Sequence, residues 1–211
     1  MCFSAGASFV TGGVLAAVGV AVVKRKPKKR ERLFAAIPFL FAIQQLIEGA
    51  QWLFLKNGSA CFPLGYGFLF FAFILWPTYI PCAVYMMERN KRRRRLVAVF
   101  LGAGVMSTLF LIFMLLSQSL SIDILHRSIS YVIDVAYARV GMFVYAAIVC
   151  GSLLVATDKH MRLFGLLLLL SFIVSYAFFQ YAFTSVWCFF AAALSVLVYL
   201  HFHHPERGSR R

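Results

Sequence analysis

The residues able to do chemistry fall within apolar stretches of this chain. Gln44, Glu48 and Gln51 recur at i, i+4, i+7, which puts a carboxyl and two amides on one face of a helix. Gln45 and Trp52 share that stretch. His126, Ser130 and Asp134 follow at four-residue steps, with Arg139 about one helical turn further on. In Trp76-Pro77-Thr78-Tyr79-Ile80-Pro81, two prolines four apart remove two backbone donors and free the carbonyls those donors would have met. Cys2 lies near the start, and Cys188 closes Ser185-Val186-Trp187-Cys188. Carboxyl, imidazole and thiol are the groups of acid–base, covalent and metal chemistry.

The elements that must position these groups follow from composition. The 211 residues are 62% hydrophobic and 13% charged, with a mean hydropathy of +0.84. Those values exclude disorder, a solvent-exposed globule and a secreted disulfide scaffold. A bilayer core takes about 20 apolar residues per helix. Seven runs meet that length: Ala5–Val23, Leu33–Leu55, Pro63–Met87, Leu96–Leu116, Ser128–Ala156, Leu163–Phe183 and Ser185–Phe202. The expected fold is an all-α integral membrane protein. One seven-helix transmembrane domain spans residues 1–202, and a basic tail covers 203–211.

The net charge of +14 is unevenly spread. Eighteen of the 21 Lys and Arg fall in 24–32, 88–95, 157–162 and the stretch after His201. Lys56 and Arg127 belong to the opposite side. Short loops rich in Lys and Arg stay in the cytoplasm, so the N-terminus is expected outside and the C-terminus inside. The basic loops would meet anionic lipid. No aromatic or base-reading groups accompany them, which argues against nucleic acid. Met1–Val23 reads as a retained span, because the basic run follows it rather than precedes it. Ser4, Ser8, Gly12 and Ala16 give that span a small-residue face for close packing.

Two stretches repeat. Arg32-Leu33-Phe34 and Arg162-Leu163-Phe164 open spans 2 and 6, and Gln51-Trp52-Leu53-Phe54 and Gln180-Tyr181-Ala182-Phe183 close them. Spans 1–3 and 5–7 would then form a parallel repeat about span 4, a 3+1+3 plan. Chance likeness between apolar helices is the competing explanation.

On this plan Gln44, Gln45, Glu48, Gln51, Trp52, Asp134, Arg139 and Trp187 reach the outer half of the membrane, and Tyr79 shapes the wall. A polar pocket opening outward is expected. Its buried charges, Glu48, Asp134 and Arg139, sum to −1, which would raise a carboxyl pKa or recruit a proton or cation. The opposing possibility is that Arg139 simply clamps one carboxylate. Cys2, Glu48, His126 and Asp134 are the candidate ligands of a single metal ion. Cys2, Cys61 and Cys188 share the outer level, where a Cys2–Cys61 disulfide, plain buried thiols and a reactive or metal-binding thiol all stay open. His201, His203 and His204 lack HxxxH spacing and read as interfacial, and His160 reads as solvated. The last span has no Lys, which excludes retinal, and no P-loop suggests a nucleotide.

Met1-Cys2-Phe3-Ser4-Ala5, Gln44-Gln45-Leu46-Ile47-Glu48 with Trp52, and Ser185-Val186-Trp187-Cys188-Phe189-Phe190-Ala191-Ala192 resemble an uncharacterised MCFSA-type family of bacterial membrane proteins. The resemblance spans the chain and implies a multi-pass protein of the inner (plasma) membrane. It brings no activity with it. It implies that Cys2, Ser4, Gln45, Glu48, Trp52, Trp187 and Cys188 belong to one motif set. A looser likeness to seven-helix intramembrane metal hydrolases of the alkaline-ceramidase type fails at the missing HxxxH.

Two functions from different classes follow. The first is binding or transport of a small solute, cation or proton at Glu48 or Asp134. The second is an intramembrane enzyme at the outer leaflet, with Cys2 or Cys188 as nucleophile or ligand, His126 as base and Glu48 or Asp134 as ligand or general acid. A scaffold or sensor without chemistry is a third.

Overall fold

The computed structural model describes residues 4–133 and 138–203. Helix α1 (Ala5–Val23) begins at Ser4, whose Oγ accepts the Ala7 amide at 3.2 Å. Its buried face, including Ser8, Gly12 and Gly19, packs on α2 (Arg32–Lys56), as the small-residue pattern implies. Next come α3 (Phe62–Leu69), a π-helical stretch Phe70–Leu75 and α4 (Trp76–Met87), which form one continuous rod. Helix α5 (Lys91–Ser117) starts at Asn90, whose Oδ1 accepts the amides of Arg92 and Arg93. Helices α6 (Ala138–Val155), α7 (Lys159–Phe178), α8 (Phe183–Leu194) and α9 (Leu197–His203) complete the bundle. Among the described residues six helical segments are long and apolar enough to cross a membrane, and Arg139–Val155 is apolar but shorter.

The sequence places a helix over Ser128–Ala156, but the structure begins that element as a sheet. Leu120–Leu125 (β1) and Ser128–Ile133 (β2) pair antiparallel in register Leu125↔Ser128 through Leu120↔Ile133. Apolar and polar residues alternate through Leu-Ser-Ile-Asp-Ile and Ser-Ile-Ser, the period of a strand rather than a helix. His126 and Arg127 form the two-residue turn with φ of 45° and 62°. Two consecutive left-handed residues match the twist of the flanking strands. His126 and Ser130 therefore do not share a helix face, and Asp134 lies outside the described residues.

The prolines of the third rod act as the sequence suggests, but the freed carbonyls do not line an open cavity. Pro77 has no N–H to give Ala72 in π-helical register, and Tyr145 Oη donates to the Ala72 carbonyl instead, at 2.6 Å. Pro81 likewise leaves the Pro77 carbonyl unclaimed by the helix. That oxygen faces Gly104 of α5 so closely that a Cβ there would run into it.

The two ends of the bundle differ. At one end the basic segments converge. Arg93 donates to the carbonyls of Val155 and Ala156, at 3.0 and 3.1 Å. Glu88 accepts the Thr157 amide at 2.7 Å, the Thr157 hydroxyl at 2.8 Å and the Asn90 amide at 2.8 Å. At the other end the hairpin folds over the helices. Leu120, Ile122 and Ile129 are buried in one cluster with Ala5, Trp52, Phe68 and Cys188. Tyr131 stacks on Phe68 at 4.7 Å, and Ser130 Oγ donates to the Tyr181 carbonyl at 2.6 Å.

Candidate functional site

Beneath the hairpin, α2 turns one polar face into the bundle. Gln44, Gln45, Glu48 and Gln51 are all fully buried, and Trp52 nearly so. The i, i+4, i+7 spacing brings these side chains to one side, as read from the sequence. Helix α8 supplies the facing groups. The Ser185 hydroxyl donates to Glu48 Oε1, and Gln45 Nε2 donates to Glu48 Oε2 at 3.4 Å. Cys188, one turn beyond Ser185, is buried against Gln44 and Glu48. Trp76 Nε1 donates to Gln44 Oε1 at 2.8 Å, tying this face to the π-bulged rod.

Burying a carboxyl with three amides is costly unless each polar atom is met. Among the described residues, Gln45 Oε1, both amide atoms of Gln51, Trp52 Nε1 and Ser8 Oγ are buried without a hydrogen-bond partner. Buried polar atoms of this kind are normally satisfied by ordered water or a bound polar species.

The cluster borders an apolar cavity lined by Phe41, Trp76, Tyr145, Leu168, Trp187 and Cys188, among others. It offers room for about one water molecule. The hairpin packs beside the cluster, against Trp52, Phe68 and Cys188.

The other candidates are distributed differently. Trp187 lines the cavity wall and donates to the Leu168 carbonyl at 3.3 Å. Tyr79 points toward the basic end, where its hydroxyl donates to the Leu33 carbonyl at 2.9 Å. Arg139 is exposed at the start of α6. His126 sits exposed in the hairpin turn, its ring 5.0 Å from that of Tyr181. Cys2 and Asp134 lie outside the described residues. Of the candidate metal ligands within the described residues, Glu48 is fully buried and His126 is exposed. Among the described cysteines Cys61, Cys82, Cys150 and Cys188 are free thiols.

Two groupings escaped the sequence reading. Glu88 was absorbed into a basic loop, although it is buried and joins two loops. Asp158, the N-cap of α7, meets His201 of α9, with Oδ2 3.1 Å from Nδ1. Burial pushes the Asp158 carboxyl up. The His201 hydrogen bond and charge, the Met161 amide and His160 outweigh that and hold it below its ordinary range. A helix-capping Asp is legible in sequence, but its meeting with a distant histidine is not.

The fold and site define a class: a helical bundle with membrane-length apolar helices and a buried polar cluster around one carboxyl. Over residues 1–211 the chain matches the model of a family of unknown function (DUF6629), and it belongs to that family. No curated protein and no solved structure matches it.

Proposed function

We propose that this is a polytopic membrane protein that binds or moves a proton, a cation or a small solute through Glu48. The carrying observation is the Glu48 cluster itself: one fully buried carboxyl held by Ser185 and Gln45, beside Gln51 and Trp52, whose buried polar atoms have no hydrogen-bond partner among the described residues. An ionisable group at membrane depth is costly and is kept where it has work to do. The full burial of Glu48 among Gln44, Gln45 and Gln51 favours a proton or small cation over a larger solute.

Membrane embedding is supported by the surface. Val99, Met106, Leu109, Phe110, Phe113 and Leu116 of α5 are exposed, a face suited to lipid. The short helix Arg139–Val155 would be the seventh crossing, reached from the hairpin. The clustering of basic segments at one end favours the cytoplasm for that end and an outward hairpin. Phe34 and Phe164 are buried alike at the starts of α2 and α7, as a 3+1+3 repeat would have them.

The experiment is reconstitution in liposomes carrying a pH-sensitive dye, with an imposed proton or cation gradient. Flux above that of empty vesicles, lost in Glu48→Gln, is expected. Flux equal in wild type, Glu48→Gln and empty vesicles would overturn the proposal.

A thiol enzyme is the second reading, favoured by Cys188 lying against Glu48. His126, its proposed base, stands on an exposed turn, which weakens it. Cys188 that resists alkylation while the protein stays folded and active would remove that reading.

A further inference from the structure

At the basic end of the bundle, far in sequence from Glu48, two imidazoles and a carboxylate converge. We propose that Asp158, His160 and His201 form a binding site for a divalent transition metal, with Zn²⁺ the best fit. The candidate ligand atoms of the three residues all lie within 4.8 Å of one another.

The local fold prepares the set. Asp158 Oδ1 accepts the amides of His160 and Met161 at 2.9 and 3.1 Å, so capping α7 fixes the carboxyl in place. Its Oδ2 faces His201 Nδ1 at 3.1 Å. His160 occupies the first turn of α7, with Nδ1 3.7 Å from Asp158 Oδ1. His201 arrives from α9 and is oriented by aromatic packing. Its ring lies edge-on to Phe34 at 5.6 Å and to Phe202 at 4.8 Å, and is nearly perpendicular to the His160 ring at 5.8 Å. Ligands whose rings are held this way lose little freedom when a metal arrives.

The donor types choose the metal. Imidazole suits Zn²⁺ and its transition-row neighbours, whereas Mg²⁺ and Ca²⁺ want oxygen. Bonds to Zn²⁺ of about 2.0–2.2 Å require the donors to draw closer than they stand now. The His201 and Asp158 atoms already stand 3.1 Å apart, so the adjustment falls to the His160 ring and the carboxylate. The side chains are 14%, 15% and 22% exposed for His160, His201 and Asp158, so the site is shielded yet reachable from solution. Three protein ligands leave a fourth tetrahedral position for water or an exchangeable donor. The N-terminus of α7 and nearby Lys159 and Arg162 oppose a cation, and the carboxylate offsets them. Bound metal would fasten α9 to the α6–α7 turn, joining the end of the described chain to the bundle.

The test uses full-length protein purified without a histidine tag, stripped with chelator and titrated with Zn²⁺ or Co²⁺. About one equivalent should bind, with a rise in melting temperature and, for Co²⁺, the visible spectrum of a tetrahedral nitrogen–oxygen site. His201→Ala and Asp158→Asn should each weaken binding by more than the roughly 10–100-fold that loss of a supporting partner costs. Asn at 158 still caps α7, so loss there is not explained by unfolding. His203→Ala should bind as wild type does. Failure of the stripped wild type to bind either metal would overturn the proposal, as would binding that survives both His201→Ala and Asp158→Asn.

Discussion

Ser185 donates its hydroxyl to the carboxylate of Glu48, joining α8 to α2 across 137 positions of sequence. The bond makes the two helices one unit around the buried carboxyl. Ser185→Ala would take one donor away from a fully buried carboxyl, at a cost of about 1–3 kcal/mol. Glu48→Gln keeps a carbonyl for the Ser185 hydroxyl and should melt closer to wild type than Ser185→Ala does. Thermal unfolding in detergent orders the variants. The reverse order would mean that the bond is not what holds the site.

The hairpin turn offers a second comparison. His126 and Arg127 hold left-handed backbone that costs a non-glycine residue roughly 1–2 kcal/mol each. Asn and Gly are the residues such a turn prefers. His126→Asn with Arg127→Gly should therefore preserve or raise the melting temperature. It should also leave liposome flux unchanged, because the exposed His126 ring packs on Tyr181 rather than on the Glu48 cluster. Flux abolished in a stable double variant would restore His126 as a chemical group.

How much the sequence disclosed depends on the range of the interaction. The apolar runs mark most helices, because each signal lies within one segment, and the α2 polar face follows from helical spacing alone. The hairpin was obscured because Ser128–Ile133 is apolar enough to extend the run that follows it. Its period-two alternation, with the Leu120–Ile124 stretch before it, is the signal that separates strand from helix. Arg139 shows the other limit: it stands exposed on the bundle surface although its sequence neighbourhood is apolar. Asp158 with His201, and Glu88 with Thr157, depend on which loops meet at one end, which no local pattern encodes.

Glu88 gives a third prediction. Its carboxylate collects three donors from two loops and is 6% exposed. Hydrogen bonds to a charged group contribute about 1.5–3 kcal/mol each, and removing the acceptor takes three of them from Glu88 at once. Glu88→Ala should destabilise by more than about 2 kcal/mol, whereas Lys91→Ala, exposed in the same run, should change little. Denaturation in matched detergent compares them. Equal stabilities would show that the loops are held by the Arg93 bonds to Val155 and Ala156 alone.

Gly104 and Gly102 stand close together on α5 but differ in what a methyl group would meet. At Gly102 nothing lies within 4 Å, so Ala should be neutral or slightly stabilising through its helix propensity, by up to about 1 kcal/mol. At Gly104 the obstacle is the Pro77 carbonyl, backbone that no rotamer change can move aside. Relief would need α4 and α5 to separate, which disturbs the Thr78–Thr108 hydroxyl contact at 2.9 Å and the Thr108 bond to the Ile74 carbonyl at 3.2 Å. Gly104→Ala should lower stability by at least the 1–3 kcal/mol typical of overpacking. Because α4 continues the rod whose Trp76 holds Gln44, the variant should also loosen the Glu48 cluster. Faster labelling of Cys188 by a small thiol reagent in Gly104→Ala than in Gly102→Ala would report that loosening. Equal labelling in a destabilised Gly104→Ala would mean the strain is absorbed before it reaches the cluster.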